Sequence, residues 1–271
     1  MQQVNVKSVF FSKNPSLARL LPGFVFRLLE KIIHQDEMNH FLSRYGHLEG
    51  IDFVTAVLNE FNVEVVVKGK ENLPLQGRCV FAGNHPLGGF DGMVLIKILG
   101  EHYGDMRFLV NDILMNIENL RKVFLPINKH GGHSREAALL IGQAFASDMP
   151  IATFPAGLCS RRIKGQITDL PWKNNFLKKA IASRRDIVPV FFNARNSNLF
   201  YSLANLRKKL GIKANIEMFL LPDEMFKFRN RKITVVFGKP LPYTLFDSSR
   251  SIDQWVEFVR EKVYALNETP S

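Results

Sequence analysis

The sequence predicts an α/β fold: a largely parallel mixed sheet flanked by helices, preceded by a helical N-terminal membrane-associating segment. Three observations carry this. From Asn62 onward, short runs of β-branched and apolar residues alternate with stretches of helical periodicity. Before Asn62 only helical patterns occur, the first with a wide apolar face and a narrow basic strip. The length of 271 residues suits one large domain or a main domain with a small satellite. The expected division is 1–60, a helical N-terminal region, and 61–271, the α/β domain, whose ligand sites should lie in loops beyond the carboxyl ends of strands.

Taken in order, residues 15–34 on a wheel of about 100° per residue gather Arg19, Gly23, Arg27, Glu30, Lys31 and His34 within a sector of about 120°. Leu21, Phe24, Val25, Phe26, Leu28, Leu29, Ile32 and Ile33 fill the rest. That pattern suits a helix lying in a membrane interface, and equally one packed on the protein's own core. Pro22 and Gly23 are expected to kink or restart it. Helices follow at 36–45 and 50–60. Strands are predicted at 63–68, 79–83, 106–110, 123–127, 150–154, 187–193, 216–221 and 233–237. Helices at 92–101, 134–147, 172–184, 198–210 and 252–266 separate most of them. The longest apolar runs, such as Leu20 to Phe26, fall short of the roughly 20 residues that span a bilayer, and no secretory signal pattern opens the chain.

Charge and composition narrow the partners. Lys and Arg number 36 against 25 Asp and Glu, a net +11, beside 46% hydrophobic residues and 23 Phe. Such a chain can offset its ordering entropy, and its charge suits nucleic acid, an anionic membrane surface or an acidic protein. The basic segments Arg184-Arg185, 207–209 and 227–232 come without an RNA-recognition, KH or helix-turn-helix signature, so no nucleic acid partner is expected. Two cysteines, Cys79 and Cys159, are too few for a disulfide framework and point to a reducing compartment. His130 and His133 lack a third ligand nearby, so no metal is expected.

The segment that carries chemistry runs from Gly83 to Gly92, GNHPLGGFDG, between a strand and a helix beginning near Met93. His85 can act as a general base near neutral pH, and Asp91 can fix its tautomer and stabilise the imidazolium. Gly88 and Gly89 would let the chain fold back far enough for the two to meet. The same residues would also serve simply to cap backbone groups at the strand exit and helix start.

This turn resembles the signature of the PlsC-like glycerol-phosphate and lysophospholipid acyltransferases, in which Asn-His is followed by four residues and then Asp. Val67 to Pro74 is similar to the family's lead-in, Phe124 to Asn128 to its second block, and Phe154-Pro155-Ala156-Gly157 with Ser160-Arg161 to its third. Ile187 to Val190 is similar to its fourth. The four blocks keep the family's order over about 64–192. The Pro-Leu-Gly-Gly wording looks like a bacterial subgroup sometimes labelled hemolysin-like.

The departures are specific. Five residues rather than four separate His85 from Asp91, and the second block has Asn128 and Lys129 where an arginine is usual. In the third block Ala156 stands for glutamate, and Cys159 aligns with the arginine that family members direct at the acceptor's phosphate. Bidentate phosphate recognition is an arginine speciality, so an acceptor other than lysophosphatidate is expected, for instance a glycine- or ornithine-lipid precursor, with lysophosphatidate read by the displaced Lys129, Arg161 and Arg162 as the alternative.

The resemblance implies an O-acyltransferase without a cofactor. A fatty acyl chain would pass from acyl-carrier protein or coenzyme A to the hydroxyl of a lysolipid acceptor. His85 would be the base and Asp91 its orienter. No serine or cysteine adjoins the turn in sequence, so direct transfer is expected over an acyl-enzyme. Asn84, Gly88, Gly89, Asn128, Lys129, Pro155, Gly157, Ser160, Arg161 and Arg162 are the expected donor- and acceptor-binding residues. Arg161, Arg162 and Lys164 also read as a solvated charge run. Amides at Gly157, Leu158 or the Gly88-Gly89 turn are candidate oxyanion donors. The enzyme is expected to sit peripherally on the cytoplasmic face of the inner membrane. A noncatalytic lipid-binding protein on the same scaffold is the alternative.

Overall fold

The computed structural model describes residues 4–13, 19–20, 22–127 and 134–268. Helices α1 (Val6–Lys13), α2 (Gly23–Ile32), α3 (Gln35–Tyr45) and α4 (Gly50–Glu60) lead to β1 (Glu64–Lys68) and β2 (Cys79–Gly83). Then come α5 (Gly89–Tyr103), β3 (Arg107–Val110), β4 (Phe124–Pro126), α6 (Ser134–Ala146) and β5 (Ile151–Thr153). A hairpin of β6 (Arg161–Ile163) and β7 (Gln166–Thr168) precedes α7 (Asn175–Ala182) and β8 (Asp186–Asn193). The chain closes with α8 (Asn198–Lys209), α9 (Leu221–Lys227), β9 (Lys232–Phe237) and α10 (Ile252–Ala265).

Seven strands form the main sheet in the order β1-β9-β8-β2-β5-β3-β4. Every neighbouring pair is parallel except β8 and β9. The alternation of β2 assigns its two faces: Cys79 and Phe81 enter one core with Phe53, Val57, Val94 and Leu95, from α4 and α5. Val80 and Ala82 enter the other with Ile141, Leu177, Val256 and Val259, from α6, α7 and α10. Helices on both faces of a largely parallel sheet are the α/β architecture the sequence predicts. Gly100 lets α5 approach α4, because a Cβ there would stand 2.4 Å from the Ile51 side chain.

The N-terminal helices divide by what they bury. α4 places Phe53, Val54, Val57 and Leu58 in the main core. α2 buries only Phe26, against Val6, Leu29 and Ile33, and leaves Phe24 63% and Leu28 54% exposed. His34, at φ +54°, separates α2 from α3. Its ring stacks on Phe226 at 3.9 Å and its Nε2 lies 3.1 Å from Asp223, which pins this segment to α9. Among the described residues, no helix is long and apolar enough to cross a membrane.

Two local expectations are corrected. Residues 216–221, expected as a strand, form a 3-10 helix at Ile216–Leu220 that runs into α9, because Glu217 is drawn fully inside between Arg161 and Arg207. The β6–β7 hairpin was not expected, since its strands are short and polar; Lys164 and Gly165, both at positive φ, make its turn. Arg185, named above within a basic segment, is fully buried and donates to the carbonyls of Phe145, Ala144, Met149 and Ser147 at the end of α6.

Candidate active site

β2 ends at Gly83, and the next two residues diverge in role. Asn84 is buried and its amide continues the pairing of β2 with β8: Nδ2 donates to Phe192 O at 3.1 Å, and Oδ1 accepts from Phe192 N at 2.7 Å. Asn84 therefore has a structural role in joining the two strands, with each of its polar atoms bonded once. His85 then leaves the sheet edge with 17% of its side chain exposed.

The turn closes on itself despite its extra residue. His85 Nδ1 lies 3.1 Å from Asp91 Oδ2, which also accepts Leu87 N at 2.7 Å and Gly88 N at 3.0 Å. Gly88 absorbs the insertion at φ +81°, ψ −112°, where a Cβ would meet Cys159 Sγ at 3.1 Å and Leu221 at 3.3 Å. The helix starts at Gly89, earlier than the sequence suggests, so Asp91 sits in its first turn and caps the backbone while holding the imidazole. The two readings of this carboxylate, cap and histidine partner, are both realised. Asp91 is wholly buried, and burial pushes its carboxyl above the usual range against the pull of His85 and the two N–H donors.

Residues distant in sequence complete the setting. The Phe154 ring stacks on the His85 ring at 4.2 Å and 17°, fixing the imidazole plane from one side. Asp169 holds the backbone of the turn: Oδ1 accepts His85 N at 3.2 Å and Ser160 Oγ at 2.6 Å, and Oδ2 accepts Trp172 Nε1 at 2.9 Å. Ser160 N in turn donates to His85 O at 2.8 Å. Asp169 was not singled out from sequence, and Phe154 only as the first residue of the third block. No periodicity or spacing marks a carboxylate 84 residues away as a partner of His85.

With His85 Nδ1–H donating to Asp91, Nε2 keeps its lone pair for an incoming hydroxyl proton. In space, though not in sequence, a cysteine and a serine do adjoin the turn. Neither is an activated nucleophile: burial pushes the Cys159 thiol up to about 12, and the Ser160 hydroxyl is spent on Asp169.

The third block contributes less to binding than the sequence implies. Arg161 is buried, donates to Cys159 O at 2.6 Å and pairs with Glu217 at 2.8 Å, with its guanidinium over Phe200. Its charge is thus met internally by Glu217. Ser160 is likewise committed. Arg162 is half-buried, over Tyr201, and donates to Asn198 Oδ1 at 2.5 Å. Pro155 O accepts Lys173 N at 3.1 Å, and Gly157, at φ +70°, gives its N–H to Phe154 O at 2.9 Å. A Cβ at Gly157 would stand 3.1 Å from Lys173 Nζ. Of the candidate oxyanion amides, those of Gly157 and Gly88 are therefore occupied. Asn128, Lys129, His130 and His133 lie outside the described residues. Among the described residues, no three His, Cys, Asp or Glu side chains gather as metal ligands.

The site is thus a partly exposed histidine held by a buried carboxylate at the carboxyl edge of an α/β sheet. The family profile described as Acyltransferase matches residues 8–270, and the chain belongs to that acyltransferase family, of the PlsC-like type the sequence resembles. It is 46% identical over 264 residues to the lyso-glycine lipid O-acyltransferase of Phocaeicola vulgatus, covering 97% of this chain and 95% of the relative. With the lyso-glycine lipid O-acyltransferase of Bacteroides thetaiotaomicron it shares 47% identity over 264 residues, 97% of each chain. A solved structure, the 1-acyl-sn-glycerophosphate acyltransferase PlsC from Thermotoga maritima, is similar at a TM-score of 0.47 and 17% identity, covering 90% of this chain and 97% of that one. The protein is thus an enzyme of the O-acyltransferase class, and the noncatalytic alternative is set aside.

Proposed function

We propose that this enzyme moves a fatty acyl chain from an acyl-carrier-protein or coenzyme A thioester to the free hydroxyl of a lysolipid, with a lyso-glycine lipid as the acceptor. The observation that carries this reading is the 3.1 Å His85–Asp91 pair, in a chain 46% and 47% identical to two lyso-glycine lipid O-acyltransferases. His85 Nε2 takes the proton as the hydroxyl oxygen attacks the thioester carbonyl. The tetrahedral intermediate collapses, the carbon–sulfur bond breaks, and the imidazolium returns the proton to the departing thiolate. The amides of Gly89, at the start of α5, and Leu158 are the candidates that remain for the oxyanion. The absence of phosphate-reading arginines at the family positions agrees with an acceptor that lacks a phosphate.

The test is acyl transfer by the purified enzyme, offered lyso-glycine lipid and lysophosphatidate side by side with acyl-carrier-protein and coenzyme A thioesters. Turnover with lyso-glycine lipid should exceed that with lysophosphatidate at least about tenfold, the discrimination expected when a charged hydrogen-bonding site meets the wrong group. Equal or reversed rates would overturn the acceptor.

The acceptor is a bilayer lipid, and α2 supplies a means of reaching it. Phe24 and Leu28, one turn apart, project outward beside Arg27 and Lys31, an arrangement that inserts apolar rings and attracts anionic headgroups at about 1 kcal/mol per basic residue. We place the enzyme peripherally on the cytoplasmic face of the inner membrane on this ground. The double variant Phe24→Ser, Leu28→Ser should lose most of its flotation with anionic liposomes while keeping its fold. Flotation equal to the parent would return α2 to a purely structural role.

A further inference from the structure

The cations that the family directs at an acceptor headgroup are missing or turned inward here, yet another set stands beside the catalytic turn. The loop after β8, the end of α9 and the turn before β9 enclose a cleft of about 250 Å³. Its charged lining is Arg195, Arg231, Lys227 and Glu224. Glu224 is spent, accepting Ser197 N and Oγ at 2.6 Å each and pairing with Lys227 at 3.1 Å. Lys227 is further balanced by Asp223 at 2.6 Å. Arg195 and Arg231 have no carboxylate partner among the described residues; Arg231 lies over the Phe228 ring at 5.7 Å. The cleft therefore presents two uncompensated guanidinium groups.

Asn196 joins this cleft to the chemistry. It is 4% exposed, and its Nδ2 donates at 3.0 Å to the carbonyl of Pro86, the residue after His85. That bond fixes the amide's orientation, and its Oδ1 is buried with no partner among the described residues. A buried acceptor left unpaired costs free energy, which a ligand bringing a donor would recover. The cleft thus asks for an anion and an N–H or O–H donor, and Asn196 ties it to the residue after His85.

We propose that this cleft holds the head of the acceptor lysolipid, an N-acylated amino acid, with its carboxylate on Arg195 and Arg231 and its amide N–H on Asn196 Oδ1. The inference rests on the lysolipid reading given above and deepens it. The other anion available is the donor's phosphate, but in a phosphopantetheine thioester that group lies at the far end of a long arm. The cleft adjoins the neighbour of His85.

The experiment uses the full chain and N-dodecanoylglycine as probe, measured by calorimetry against its methyl ester. Arg195→Gln and Arg231→Gln should each weaken probe binding about tenfold or more, the cost of losing a charge-assisted bond. The methyl ester should bind the parent enzyme weakly and be indifferent to both variants. Both arginines are exposed and pair with no carboxylate among the described residues, so the fold should survive; Lys178→Gln, the same charge change on α7, controls for net charge. In turnover, KM for lyso-glycine lipid should rise by a similar factor while kcat and the donor's KM stay near the parent values. Probe binding unchanged in both arginine variants, or weakened equally in Lys178→Gln, would overturn the assignment. A rise confined to the donor's KM would also overturn it and give the cleft to the donor's phosphate. Probe binding needs no turnover, so arginine-dependent binding without acylation of lyso-glycine lipid would sink the proposed reaction and leave the cleft standing.

Discussion

His85→Ala is expected to lower kcat/KM for acyl transfer about 1,000-fold, within the range that a positioned general base supplies. The loss should appear in kcat, because the imidazole acts on the proton only as the carbon–oxygen bond forms. Asp91→Asn should follow at about 100-fold. Its oxygen can stand where Oδ2 accepts Leu87 N, Gly88 N and His85 Nδ1–H, but the amide carries no charge to stabilise the imidazolium, and its NH2 would be buried where Oδ1 has no partner among the described residues. An amide N–H turned toward Nδ1 would select the wrong tautomer and place a proton on the nitrogen that must accept one. Melting curves separate the two cases. His85→Ala removes a partly exposed ring and should melt close to the parent, whereas Asp91→Asn also weakens the cap of α5 and should melt a few degrees lower. Retention of more than a tenth of parental turnover in His85→Ala would mean that another group takes the proton.

Arg185→Met is expected to cost about 3–5 kcal/mol of stability, read as a lowered urea midpoint with an unchanged slope. Burial lowers the guanidinium to about 10, so it remains charged at neutral pH, and its three nitrogens bond the carbonyls of Ala144, Phe145, Ser147 and Met149. Those carbonyls lie at and just beyond the α6 terminus; Ala144 O keeps Ser147 Oγ and Ser147 O keeps Arg78, but methionine donates to neither Phe145 O nor Met149 O. At about 1–3 kcal/mol for each of these two acceptors left unpaired the sum reaches the stated range. Activity per folded molecule should be unaffected, since α6 ends on the side of the sheet away from the carboxyl edges that hold His85. A change below about 1 kcal/mol would show that these carbonyls find water or other donors.

The fold was legible because its signals are local. The alternation of VEVVVK with helical periodicity, the Cys79 to Gly83 run and the capped start of α10 at Ser251 each depend on neighbours within a few residues. Where local pattern misled, a distant partner had overridden it. IEMFLL reads as a strand, yet Glu217 at its start is drawn inside by Arg161 and Arg207, and Pro222 favours a helical first turn. The β6–β7 hairpin is held by packing beneath α8 rather than by apolar strands of its own, and so left no trace in composition.

The sequence by itself determined that this is an α/β acyltransferase with a His85 and Asp91 turn, because those residues and the glycines that join them occupy one short stretch. The tertiary structure alone decided which neighbours serve that turn. It brought Phe154 onto the imidazole, set Asp169 behind the His85 backbone, committed Asn84 and Arg161 to internal bonds, and gathered Arg195, Asn196 and Arg231 beside Pro86. The physical reason is that a polar group's role depends on whether its bonding capacity is already filled, and the groups that fill it arrive from elements up to about a hundred residues away.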